Sequence, residues 1–359
     1  MKHGKRLIFA AFIVCTNPIY AASYTIDYMG SLDQWSIGNA INDKGEVTGM
    51  FLNEYGNSGD TQYYGFSYKN GTFQSLGFPE NGGSLGRSIN SSGQIVGDLF
   101  THSDRYAAKY NNGTITPIPG LGENGGMSLD INNAGTIVGV SYSLNSHYLY
   151  GFIYQDGVIE NIGNYLWPMA INNSGEISGF SNEFTSFGNR QDSAFVYQNG
   201  QIDYLGTLGG RESFAFDIND SGQIIGWATN AEEMRRPFIY QDEKMIEIGN
   251  LSSNGEAVSI NNLGDIVGIF YQANGSDRRA FVFHEGVFSD LNDLVTLPDG
   301  WVLHHANGIN DSGQIIATGI NGDGAQHAFL LTPTAVPLPN AVWLMFTGLL
   351  SLFGQRKKC

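Results

Sequence analysis

Ile218-Asn219-Asp220-Ser221-Gly222-Gln223-Ile224-Ile225-Gly226 reads as a tight turn between two strand ends, and variants of it occur seven times. The copies begin at Ile41, Ile89, Ile131, Ile171, Ile218, Ile260 and Ile309, at intervals of 40 to 49 residues. That period belongs to propeller blades and other repeat arrays. The asparagine side chain can hydrogen-bond the backbone two residues on, and the glycine accepts the positive φ that a hairpin with a bulge demands. A calcium loop would need alternating oxygen ligands and a terminal glutamate, which these turns lack. The repeated segment is therefore a structural turn joining two strands.

Working outward, a third strand follows each turn: GFSY at Gly65, AAKY at Ala107, GFIY at Gly151, AFVY at Ala194, PFIY at Pro237, AFVF at Ala280 and AFLL at Ala328. A fourth, such as QIDYLG (Gln201 to Gly206), completes the unit. The last unit has no fourth strand, whereas an orphan fourth strand, YTIDYMG (Tyr24 to Gly30), precedes the first. The two deficits match. Exchange of that strand would close a ring and remove the exposed sheet edges of an open array. The expected fold is all-β, a seven-bladed β-propeller closed by exchange between N-terminal and C-terminal strands. An open β-solenoid is the alternative, and it gives no reason for the offset termini. Phe195 and Tyr197, two apart on a strand, share one face and are expected to pack between blades.

The alternation of Ala-Phe-x-Tyr with Ile-Asn-x-x-Gly-x-Ile-x-Gly through residues 24 to 333 resembles the HAF-repeat family of bacterial extracellular proteins. The resemblance implies the fold and supplies no catalytic residues. Local departures are Ala108 for the usual Phe, Pro237 for Ala, and Ala317 for the second Gly.

Composition agrees with many turns and strands: of 359 residues 48 are glycine, and aromatics reach 13% against 14% charged residues. The formal charge is −16, and six of the 18 basic residues lie in terminal segments free of acid, leaving 12 basic against 34 acidic residues in the body. Such a surface repels nucleic acid and anionic lipid. The two cysteines, Cys15 and Cys359, are both terminal, so the body has no disulfide framework.

Residues 1–22 read as a signal peptide: Lys2, Lys5 and Arg6, an apolar run, then small residues at Ala21 and Ala22 where cleavage is expected. Residues 23–335 form the propeller of about 45-residue repeats. Residues 336–359 hold Val336-Pro337-Leu338-Pro339-Asn340, a mostly apolar stretch from Ala341 to Gly354 and a basic end. As a helix, that stretch would be short for a hydrocarbon core of about 30 Å. The arrangement resembles the VPLP variant of the PEP-CTERM sorting signal. That resemblance implies a Gram-negative cell, transient membrane insertion, an exosortase-type sorting protease as partner, cleavage near Pro337 and Pro339, and a final place at the cell surface or outside it.

No catalytic constellation emerges. The seven histidines show no metal spacing, and the His304-His305 pair is expected to face opposite sides of a strand. No metal and no cofactor is expected. Binding is better placed: the repeated turns share one rim, so the opposite rim carries the longer connections, where function concentrates. Candidate ligand-binding residues there are Trp35, Trp167, Arg211 and Trp301, with polysaccharide or a surface protein as partner. The tryptophans would otherwise plug blade junctions. Two alternatives stand: a glycan-active enzyme using loop acids such as Glu54, Asp104 or Glu183, and a calcium-stabilised module using loops such as Asn321 to Gly324.

Overall fold

The computed structural model describes residues 23–334 apart from the short segments 30–34, 54–61, 80–81, 102–103, 122–123, 143–148, 185–189, 273–274 and 276. The signal and sorting segments, with Ala21, Ala22, Pro337 and Pro339, lie outside the described residues, as does Glu54. Between Tyr24 and Pro333 the described residues form seven four-stranded antiparallel sheets, and their single helical turn is Leu291–Asp293. The chain is a seven-bladed β-propeller.

Six blades are built from consecutive strands; blade one, for example, runs Trp35–Ile41, Val47–Asn53, Gln62–Lys69 and Thr72–Ser75. The seventh is composite. Its order is Val302–Ile309, Ile315–Ile320, Gln326–Pro333 and then Tyr24–Met29 from the other end of the chain, with Tyr24 opposite Pro333 and Met29 opposite Ala328. The expected strand exchange closes the ring.

Each innermost strand carries one extra residue at the same place. In blade one Gly38 pairs with Gly49 and Ala40 with Thr48, which leaves Asn39 bulged; in blade five the bulged residue is Phe216. This bulge explains the second glycine of the sequence repeat. A Cβ on Gly226 would overlap the carbonyl oxygen of Phe214, and one on Gly49 that of Ile37. Only glycine lets the neighbouring strand approach so closely. Blade seven has Ala317 at that position, opposite Ala306, and its innermost strand carries a second bulge at His304.

The stripe expected to pack between blades does so. Phe66, Phe152, Phe195, Phe238, Phe281 and Phe329 are fully buried, and Tyr197 is partly buried against Val138, Ile171 and Ile177. Full burial of a phenylalanine stabilises by roughly 1.5 to 3 kcal/mol, so these six dominate the blade cores. Blade two, with Ala108 instead, is built differently, as described below.

The asparagines of the turns do more than shape their own hairpins. The Asn219 Oδ1 accepts from the backbone N–H groups of Ser221 and Gln223 at 3.1 and 3.0 Å. Its Nδ2 donates to the backbone carbonyl of Asn261, the equivalent residue of the next blade, at 3.1 Å. The same donation runs from Asn42 to Asn90, Asn90 to Asn132, Asn132 to Asn172, Asn172 to Asn219, Asn261 to Asn310 and Asn310 back to Asn42. Seven amides form a closed circle at the short-turn rim. One residue on, an exposed second row runs as an open arc from Ser91 through Asn133, Asn173, Asp220, Asn262 and Asp311 to Asp43, each backbone N–H donating to the next side-chain oxygen.

Candidate functional site: the central channel and the long-connection rim

The seven bulged residues are Asn39, Arg87, Leu129, Met169, Phe216, Val258 and Asn307, one per blade. All seven line a central cavity of about 1020 Å³. A bulge re-aims a side chain, and here it turns one residue of every blade onto the channel. The resulting collar is two-sided. Blades three to six supply Leu129, Met169, Phe216 and Val258, whereas blades seven, one and two supply Asn307, Asn39 and Arg87.

The polar half is tied together from behind. Asn307 Nδ2 donates to the Gly38 carbonyl at 2.5 Å, and Asn39 Nδ2 donates to the Gly86 carbonyl at 2.7 Å. Arg87 Nε donates to Asp98 Oδ2 at 2.8 Å. Asp98 is fully buried and also receives Arg105. Two guanidiniums thus share one carboxylate, and one of them faces the channel. Asp98 occupies the place held by Met50, Val140, Phe180, Trp227 and Ile269 in other blades, so blade two has a charge where those carry an apolar side chain, and Ala108 where they carry the core phenylalanine.

The wall continues toward the long-connection rim through His304, His305, Glu256 and Arg278. The histidine pair departs from the alternation expected of a strand, because His304 is itself a bulged residue and both rings reach the cavity. Asn307 uses its amide nitrogen on Gly38 and Thr318, so its oxygen takes the Nδ1 proton of His305 at 2.6 Å. Burial, then the neighbouring His305 and Arg278, pushes the His304 imidazole down to about 4; burial and Arg278 lower His305 too, against the Asn307 hydrogen bond. Glu256 is raised by burial, partly offset by Arg235 and Arg278.

One residue beyond the collar residues Leu129 and Phe216, toward the asparagine circle, lie two carboxyls set deep in the molecule. Asp130 accepts from Ser88 Oγ at 2.5 Å and from the Ile171 N–H at 2.7 Å. Asp217 accepts from the Ile218 and Ile260 N–H groups at 2.8 and 2.9 Å. Burial outweighs these bonds in both: it raises Asp130, and with the repulsion of Asp130 it pushes Asp217 up to about 7.

The four residues singled out from the sequence lie on four blades and do not converge. Trp35 is exposed at the start of blade one. Trp167 lies parallel to Phe180, with ring centroids 5.7 Å apart, and Trp301 packs edge-on against Tyr28 and Phe329. Arg211 is an exposed partner of Glu233 at 3.0 Å. Among the acids, Asp104 closes a surface turn with Thr101 and hydrogen-bonds Tyr106, and Glu183 lies near the end of a blade-four strand. The Asn321 loop is another hairpin turn, its Oδ1 taken by the N–H groups of Asp323 and Ala325. Among the described residues no three His, Cys, Asp or Glu side chains are placed to hold a metal.

Sequence reasoning missed the collar and found too few rim aromatics. Among the described residues the exposed large aromatics are Trp35, Tyr63, Phe78, Tyr106, Tyr142 and Tyr204. Each stands at a strand end or connection on the long-connection rim, and five of the six belong to blades one to three. Tyr63 meets Phe100 at 5.9 Å, Arg105 lies over Phe100 at 5.1 Å, and Tyr64 meets Phe78 at 4.8 Å. Their common signal in the sequence is position: Trp35 opens a first strand, Tyr63 and Tyr106 stand second in third strands, Tyr142 ends a second strand, and Phe78 and Tyr204 stand past or at the end of a fourth.

No family model matches the chain, and no curated protein matches it in sequence. Solved structures do. The β-propeller domain of the Trilobed protease from Pyrococcus furiosus, described as having an open velcro topology, is 10% identical with a TM-score of 0.60, over 83% of this chain and 93% of that one. The acylaminoacyl peptidase of Pyrococcus horikoshii is 11% identical with the same TM-score, over 83% of this chain and 51% of that one. YCF48 bound to D1 peptide is 11% identical, with a TM-score of 0.53 over 88% of this chain and 99% of that one. At these identities the likeness is one of fold.

Proposed function

We propose that the protein is an exported, non-enzymatic binding module whose long-connection rim takes polysaccharide. The observation that carries this reading is the confinement of the exposed large aromatics to that rim. Aromatic rings beside a guanidinium offer flat apolar faces to the C–H faces of sugars, together with hydrogen-bond donors at their edges. Export by residues 1–22, sorting through residues 336–359 by an exosortase-type protease, and a final place on the surface of a Gram-negative cell belong to the same proposal. They rest on the sequence signals alone.

A protein partner on the same rim is the second reading, favoured by YCF48, a propeller of similar fold described as bound to a peptide. A polysaccharide array with the mature protein tests the first. The expected result is a defined set of glycans whose binding falls at least tenfold in Trp35→Ala and Tyr63→Ala with the melting temperature unchanged. An array with no hits, or hits indifferent to both substitutions, would sink it. Mass spectrometry of the native protein tests processing, with termini expected near Ala22 and Pro339.

A further inference from the structure

The collar is a second site, distinct in chemistry from the rim. We infer that the central channel binds a small monocarboxylic acid with an apolar body, its carboxylate on Arg87 and its body against Leu129, Met169, Phe216 and Val258. Three observations carry this. The collar is divided into one continuous apolar arc over four blades and one polar arc over three, so a ligand spanning the channel meets both. A uniformly polar or apolar molecule would leave one half unmatched.

The second observation is the buried charge. Arg87 and Arg105 share the single carboxylate of Asp98, which leaves a surplus positive charge at the channel side of blade two. That surplus stands out in a chain whose body is strongly acidic. Arg278, farther up the same wall, forms no ion pair among the described residues and rests on the Tyr271 ring. Planar guanidinium matches carboxylate in geometry as well as charge.

The third is fit. A cavity of about 1020 Å³ is at the upper end of the roughly 300 to 1,000 Å³ usual for small-molecule pockets. Arg87 is fixed by Asp98 rather than free to swing, so little side-chain entropy is lost when an anion arrives. The apolar arc supplies no hydrogen bond, so selectivity among bodies follows size and shape, and the charge selects the head group.

Titration calorimetry of the mature protein with 4-phenylbutyrate, 4-phenylbutanol and butyrate tests the inference. Phenylbutyrate is expected to bind saturably at one site, and to bind at least tenfold tighter than either the alcohol or butyrate. Arg87→Gln should abolish the preference for acid over alcohol, and Phe216→Ala should weaken both. Because Arg87→Gln disturbs a buried ion triad, Leu129→Glu serves as a second variant that leaves Asp98 untouched. A carboxylate beside Arg87 should abolish acid binding while the melting temperature holds. Equal affinity for acid and alcohol overturns the inference, as does acid binding weaker than about 1 mM, or acid binding unchanged in Leu129→Glu. The rim proposal fails separately, since glycan binding lost in Tyr63→Ala and kept in Leu129→Glu would leave each site standing on its own result.

Discussion

The Nδ2 of Asn310 donates to the backbone carbonyl of Asn42 at 3.0 Å, across 268 residues of chain. It is one of seven such bonds, and every blade turn both gives and receives one. Removing a member leaves buried donors and an acceptor without partners, each at about 1 to 3 kcal/mol. Asn219→Ala should therefore lose about 3 kcal/mol in urea denaturation. Asn173→Ala, in the exposed outer row where water substitutes, should lose less than about 1 kcal/mol. Equal losses would show that the inner circle is not a structural clasp.

The close approach at the bulges makes a sharp contrast among glycines. Gly226→Ala drives a methyl group into the Phe214 carbonyl and should cost about 3 kcal/mol or more. Gly200→Ala has open space but a φ of 79°, so its cost should stay near 1 kcal/mol. Thermal melts of the two variants decide the order.

Asp217 makes stability depend on pH. Its folded-state value, about 7, lies above the ordinary carboxyl value near 4. The folded protein therefore holds a proton that the unfolded chain releases. Stability is full below about pH 4, falls as pH rises toward 7, and is flat above it. The loss is on the order of 2 to 4 kcal/mol. Asp217→Asn should flatten that slope, measured as urea midpoints at pH 5 and pH 8; an unchanged slope would remove Asp217 as its source.

Asp98→Asn tests the triad in blade two. It leaves Arg87 and Arg105 without a counter-charge, and breaking a buried pair by removing one partner costs about 3 to 5 kcal/mol. Replacing Asp98 by Leu together with Arg87 and Arg105 by Met removes all three charges and should recover most of that loss. Failure of the triple variant to exceed Asp98→Asn in stability would assign the triad a different role.

Deletion of residues 24–29 exposes the whole edge of the Gln326–Pro333 strand. A propeller left open in this way should melt at a lower temperature and self-associate, because an unpaired edge templates another chain. A monomeric deletion variant with an unchanged melting temperature would argue against a structural role for the exchanged strand.

Blade number, strand count and the exchange of the end strand were legible because each rests on local chemistry repeated seven times. Asn219 and Gly222 announce a turn wherever they fall, and the orphan strand at Tyr24 needs a partner. Pro237 departs from the usual Ala of the third strand. At that position the chain's N–H points across to the next blade, where Ala194 donates to Ser213 and Ala328 to Ser36. Opposite Pro237 stands Gly255, against which the ring packs, so a lost donor meets a lost acceptor. The collar was not legible. Whether Arg87 or Phe216 faces the channel depends on one extra residue per strand, and strict alternation hides a bulge. His304 and His305 misled for the same reason.

Tyr24 and Pro333 face each other at the rim of short turns, while the exposed aromatics occupy the opposite rim. The polypeptide consequently enters and leaves the propeller on the same side, like a plate held by its underside. Any attachment carried on either flank, whether to a membrane or to a scaffold, would load only that side. The aromatic rim would then face away from the point of attachment.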